Sequence, residues 1–147
     1  MDLVGNNDIL SITRPDIISE IHKSYLQAGA DLIETNTFNA NSISQADYQM
    51  EHMVYDLNLQ SAKIAKDISD RFTKSNPNKP RFVCGAIGPT NQTASMSPDV
   101  SDPGHRNVDF DQLVDSYKEQ VCGLVDGGVD ILMTVSYTHL RAHETSI

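Results

Sequence analysis

Ala28-Gly29-Ala30-Asp31-Leu32-Ile33 and Gly127-Gly128-Val129-Asp130-Ile131-Leu132 are one junction written twice. In each, a helical pattern stops at glycine and an apolar run carrying one aspartate begins at once. Glycine accepts the left-handed conformation that closes a helix C-terminus, so both stretches predict a helix turning directly into a strand. Turns this short recur around β/α barrels, on the face opposite the active site.

Upstream of the first junction, Ile17, Ile18, Ile21, Tyr25 and Leu26 recur at three- and four-residue spacing, which predicts a helix. Thr13 is placed to cap it, Pro15 suits its first turn, and Asp16 complements its positive end. A strand over 30–37 follows, then an Asn- and Ser-rich loop over 38–45 with room for a short helix. A long helix is expected over 48–72, carried by Met50, Met53, Val54, Leu57, Ala62, Ala65 and Ile68. After a linker with two prolines, Phe82-Val83-Cys84-Gly85-Ala86-Ile87 is apolar on both faces, as a buried parallel strand is. Residues 88–108 have no periodicity, and a loop of that length in a compact domain is functional or disordered. Asp109 with Gln112 three residues on predicts a capping box. The helix it opens carries Phe110, Leu113, Val114, Tyr117, Val121, Leu124 and Val125 on one stripe. A third strand follows the second junction, over 129–133.

Helix and strand in alternation define an α/β fold with a parallel sheet. The pattern matches a partial (β/α)8 TIM barrel, with about three parallel strands and intervening helices. A whole barrel of this kind needs about 250 residues, against 147 here. The expectation is therefore a piece of a domain, with an open sheet edge and a bare apolar inner layer.

Composition narrows the class further. The formal net charge is -9, from 20 acidic against 11 basic residues, with no basic stripe for nucleic acid and no attraction to anionic membrane. No apolar run approaches the roughly 20 residues of a membrane span. The N-terminus has neither the basic nor the apolar region of a secretory signal, and two cysteines make no disulfide framework. The expected location is cytoplasmic. Without a signal, the glycosylation pattern Asn91-Gln92-Thr93 reads as chance.

Chemistry concentrates where strands end. In Glu34-Thr35-Asn36-Thr37-Phe38, polar residues crowd the C-terminal end of an apolar strand, where a barrel aims them at a ligand. An Asn amide can donate to a carboxylate or accept from an ammonium, and a Glu can pair with an amine. The competing reading, that the same residues simply terminate the strand and bond to loop backbone, is the weaker one on barrel geometry. Gly88-Pro89-Thr90-Asn91 is the matching corner one strand later, either a close approach to ligand or a tight turn. It has no phosphate-loop spacing. Cys84 and Cys122 read as packing residues. His22, His52 and His105 read as surface or loop residues without partners. His139 and His143 share helical spacing, but Leu140 stands where a zinc-binding HExxH carries its Glu.

Seven motifs in order carry a resemblance: Gly5-Asn6-Asn7-Asp8-Ile9-Leu10, Thr13-Arg14-Pro15, Ala28-Gly29-Ala30-Asp31, Glu34-Thr35-Asn36-Thr37-Phe38-Asn39, Ala46-Asp47-Tyr48, Gly85-Ala86-Ile87-Gly88-Pro89-Thr90-Asn91 and Ser97-Pro98-Asp99-Val100. Together, over about Gly5 to Leu132, they closely resemble the homocysteine-binding domain of cobalamin-dependent methionine synthases. The last loop favours these over betaine- or S-methylmethionine-dependent relatives.

The resemblance implies a barrel that binds homocysteine through zinc, which lowers the thiol pKa. The methyl group would come from methylcobalamin on another domain, itself re-methylated by methyltetrahydrofolate. Glu34, Asn36, Thr37 and Asn39 would lie on the homocysteine-facing rim, beside Gly88, Pro89, Thr90 and Asn91. Three departures stand out. The family's opening Asp-Gly-Gly-Met-Gly-Thr strand is missing. Its zinc-ligand cysteines, in the C-terminal half, are absent, and neither Cys84 nor Cys122 matches them. Val135-Ser136 stands where the third strand should continue into Glu-Thr. No zinc or cobalamin is therefore expected on this piece, whose partners would be homocysteine and the folate and cobalamin domains of a longer parent. Residues 134–147 leave the family and resemble a translated sequencing-adapter stretch, so the partial domain is placed at 1–133. Two other classes compete: a small non-catalytic α/β binding module, and an aldolase-like lyase, which would need a strand-end Lys that none of the three strands offers.

Overall fold

The two glycine junctions close in the same way. In the computed structural model, which describes residues 3–95, 97 and 99–136, Gly29 and Gly128 have φ of 104° and 91°. Gly29 N–H donates to Leu26 O and Ala30 N–H to Tyr25 O, both at 3.1 Å. Gly128 N–H donates to Val125 O at 3.0 Å, and Val129 N–H to Leu124 O at 3.3 Å. This paired closure satisfies the last helical carbonyls and needs a left-handed residue at its centre. The chain then enters the sheet at once: Asp31 O accepts from Phe82 N–H, and Asp130 N–H donates to Val83 O.

The elements follow as α1 (Leu10–Thr13), α2 (Pro15–Gln27), β1 (Leu32–Glu34), α3 (Ser42–Gln45), α4 (Val54–Ser75), β2 (Phe82–Ile87), α5 (Phe110–Asp126) and β3 (Ile131–Thr134). Short 3-10 turns precede α1 and α4. The strands lie in the order β1-β2-β3, all parallel, with Ile33 beside Val83 and Cys84 beside Ile131. Each crossover carries its helix, α4 and then α5. This is the α/β arrangement expected from the sequence, part of a β/α barrel wall.

The helix-facing side of the sheet is the core. Ile33 and Val83 pack with Leu26, Ala65 and Ile68, while Ile87 packs with Ala62 and Leu124. Alternation sends Leu32, Phe82 and Ile131 to the other face, where they are 49%, 43% and 44% exposed. On the flanks, Ile17, Ile21 and Tyr25 of α2 and Phe110, Val114 and Val125 of α5 are also exposed. The apolar stripes of both helices are wider than the surface they meet among the described residues.

Several local expectations are corrected. Thr13 does not cap α2: its hydroxyl donates to Ile9 O at 3.1 Å, and the cap position is Arg14, without a side-chain cap. Arg14 instead pairs with Asp16 at 2.8 Å and holds its carboxyl below the usual range. The long helix starts at Val54 rather than 48, because Gln49 sits in the left-handed region with φ 55° and breaks the run. His22 is buried, not on the surface, and burial pushes its pKa down. Cys122 is exposed on α5, although Cys84 is buried as expected. The capping box of Asp109 and Gln112 is present on both sides. His139 and His143 lie outside the described residues.

Candidate functional site

Strand β1 ends at Glu34, and two threonines then carry its pairing onward through side chains. Ala86 N–H donates to Thr35 Oγ1 at 3.0 Å. Thr37 Oγ1 donates to Ala86 O at 2.7 Å, so across the 2.6 Å contact between the hydroxyls Thr35 is the donor. The chain of bonds leaves Ala86 and returns to it, and each hydroxyl gives one bond and takes one. Gln120 of α5 seals it, donating to Thr37 O at 2.9 Å. Thr37 is wholly buried, so its hydroxyl holds the strand end together rather than facing the rim.

The residues between and beyond these threonines are fastened from the N-terminal turn. Asn36 Nδ2 donates to Asn7 O at 2.8 Å, and its N–H donates to Ser61 Oγ at 2.9 Å. Asp8 accepts Asn39 N–H at 2.9 Å, with Phe38 N–H as a further donor. Asn6 and Gln45 exchange bonds at 2.7 and 3.3 Å, and Gln45 also donates to Asn39 O at 3.0 Å. Asp8 is buried, and that burial raises its carboxyl from 3.8 to about 6, against the pull of its two backbone donors.

The second corner meets the first at Gly88. A Cβ there would lie 2.3 Å from Phe38 O and 3.0 Å from the Phe38 ring, so the two strand-end loops approach closely enough that only glycine fits. Tyr117 fixes this corner, donating to Gly88 O and accepting Thr90 N–H, each at 3.2 Å. Thr90 Oγ1 donates to Gln92 O at 2.5 Å, and Asn91 Nδ2 to Asp47 at 2.7 Å. Pro89 is half-buried between them.

Of the expected site residues, the structure thus brings Asn36, Asn39 and Gly88 into one rim. It commits Thr37, Thr90 and Asn91 to loop structure. Glu34 is exposed on the bare face of the sheet, beside Cys84 in register, and Asn39 is half-buried. Glu34 lines a cavity of about 370 Å³ with Ile21, His22, Tyr25 and Leu32. Burial, with the Glu34 and Asp130 charges, pushes the Cys84 thiol up, the reverse of what a metal ligand needs. Among the described residues no group of three or more His, Cys, Asp or Glu could hold a metal ion, so the side chains described here do not fit a zinc centre. Asp8, Gln45 and Tyr117 were not among the expected site residues. Asp8 had a signal in its own motif, Asn6-Asn7-Asp8, but Tyr117 was hidden within an apolar stripe.

A three-stranded parallel sheet with a helix in each crossover is part of a β/α barrel wall. The chain belongs to the homocysteine S-methyltransferase family, whose model matches residues 1–145. The metallated form of the homocysteine methyltransferase MmuM from Escherichia coli is similar in fold, with a TM-score of 0.67 and 23% identity over 85% of this chain and 43% of that one. The oxidised form gives 0.66, 22%, 84% and 42%, and the apo form 0.59, 21%, 85% and 40%. The chain therefore spans less than half the length of these structures. No helix among the described residues is long and apolar enough to cross a membrane.

Proposed function

We propose that this chain forms part of the homocysteine-binding barrel of a cobalamin-dependent methionine synthase. The observation that carries the reading is the rim itself, where Asn36 and Asn39 follow the end of β1 at Glu34 and Gly88 locks the neighbouring corner against Phe38. In a β/α barrel that end is where chemistry is done. Membership of the family supports homocysteine as the substrate, and the Ser97-to-Val100 motif supports the synthase over relatives with other methyl donors.

In this reading Glu34 offers a carboxylate to the amino group of homocysteine. Asn39 offers an amide that can take either its carboxylate or its ammonium, and Asn36, whose Nδ2 is held by Asn7 O, offers its amide oxygen to the ammonium. Gly88 lets the corner after β2 close against Phe38 and so sets the edge of the rim, and Pro89, Thr90 and Asn91 hold the loop that carries it. Zinc, where a parent protein supplies its ligands, lowers the pKa of the thiol. Its ligands, and the folate and cobalamin domains, belong to a longer cytoplasmic protein. Residues 134–147 are read as foreign in sequence origin, although Thr134 pairs with Ile87 as the end of β3 and the family model runs to 145; resequencing the locus tests this.

The functional test is zinc content after dialysis, together with methyl transfer from methylcobalamin to homocysteine. The chain alone is expected to hold no stoichiometric zinc and to show no turnover, whereas the same residues joined to the rest of the barrel are expected to show both. Tight zinc and turnover in the chain alone would overturn the partial-barrel reading.

A further inference from the structure

We propose that Asp8 is a positioning residue for the substrate rim: its buried carboxylate takes the backbone N–H groups of Phe38 and Asn39, and so sets where the Asn39 side chain stands. This rests on the homocysteine reading of the rim.

The argument starts from what the loop after Thr37 lacks. Residues 38–41 belong to neither strand nor helix; Ala40 and Asn41 donate locally, to Thr37 O and Asn39 O, but the N–H groups of Phe38 and Asn39 need partners from elsewhere. The 3-10 turn at Asn7–Ile9 supplies them. Asp8 Oδ2 accepts Asn39 N–H at 2.9 Å, and Phe38 N–H is the second donor. The neighbours of Asp8 hold the same loop from both sides: Asn7 O takes Asn36 Nδ2, while Asn6 fixes Gln45, which donates to Asn39 O. The N–H of Asn39 is thereby fixed by a side chain from another segment, and its C=O by Gln45 together with Asn41 N–H at 2.8 Å. A carboxylate is the strongest acceptor available for two converging N–H groups, and burying one has a cost that mere loop closure does not need. The amide of Asn39 is the group left free to meet a ligand, and Asp8 acts through it without touching the substrate.

The test uses the chain as it is, with Asp8→Ala and Asp8→Asn compared. Amide hydrogen exchange in Asp8→Ala is expected to quicken at Phe38 and Asn39 by about tenfold or more, the effect of losing one charge-assisted bond, with Leu57 and Val83 unchanged. Asp8→Asn keeps an acceptor oxygen and is expected to restore most of the protection. L-homocysteine is then titrated while the amide signals of Asn36 and Asn39 are followed. Asp8→Ala is expected to weaken the response about tenfold or more, and Asp8→Asn to rescue it. Unchanged exchange at 38 and 39 overturns the proposal. So does a uniform loss of protection across α4 and β2, which would make Asp8 a general stabiliser, and so does homocysteine binding that Asp8→Ala leaves intact. If the exchange result holds but the parent chain does not respond to homocysteine, the functional reading fails and the placement of the loop by Asp8 stands.

Discussion

Asp8 is a carboxyl whose environment disfavours its charge. Its folded value is about 6 against 3.8 for the free group, so between these limits the folded chain binds more protons than the unfolded one. Stability should therefore fall as pH rises from about 4 to 6, by roughly 2–3 kcal/mol at most from this group. Urea unfolding across that range measures it, and Asp8→Asn should flatten this part of the profile. The threonine relay makes a second residue-scale prediction. Thr37→Val keeps the shape but leaves Thr35 Oγ1 and Ala86 O short of a partner in a buried site. It should cost about 1–3 kcal/mol, with the loss seen in the denaturant midpoint at an unchanged slope. Neither role could be read from residue type. Thr37 looked like a ligand-facing polar group, and only the register of β1 against β2 shows that its hydroxyl reaches back to Ala86.

The helices α4 and α5 meet through glycine. A Cβ on Gly123 would stand 2.7 Å from Tyr55 O and 2.8 Å from Asn58 Cβ, contacts with backbone and with a buried side chain that cannot swing away. Gly123→Ala should force the helices apart at a cost of about 1–3 kcal/mol, despite the higher helix propensity of alanine. A thermal melt checks the sign, since a gain in stability would show that the spacing is not fixed here. At this scale the sequence was informative wherever local chemistry decides the outcome. The two glycine junctions, the Asp109 box and the three strands each depend on residues within one turn, and all are where the pattern put them. It misled where a distant partner decides. Thr13 turns back to Ile9, Gln49 breaks the expected start of α4, and the buried ring of His22 depends on β1 packing beside α2. The rim was half legible for the same reason: strand ends mark its place, but which side chains stay free depends on Asn6, Asp8, Gln45 and Tyr117 reaching in from other segments.

The surfaces left bare follow the logic of a barrel wall. Leu32, Phe82 and Ile131 share the face of the sheet that carries no helix among the described residues. Ile17, Ile21 and Tyr25 line one flank of the wedge, and Phe110, Val114 and Val125 the other. The backbone groups of Leu32 and Glu34 alternate away from β2 toward an edge that is open among the described residues, since Phe82 N–H donates to Asp31 O and Thr35 N–H to Cys84 O. In a closed barrel the inner layer and both flanks would be filled by neighbouring strands and helices, whereas a self-sufficient module would have polar residues at these positions. The chain alone should therefore bind a hydrophobic dye strongly and self-associate as its concentration rises. Sedimentation and dye fluorescence on the same samples read both effects. Leu32→Lys combined with Ile131→Lys should lower dye binding and association together while leaving the α2–α4 core intact, because neither side chain packs into it. A monomer that melts cooperatively and ignores the dye would mean that these faces need no cover, and the barrel reading of the bare sheet would fall with it.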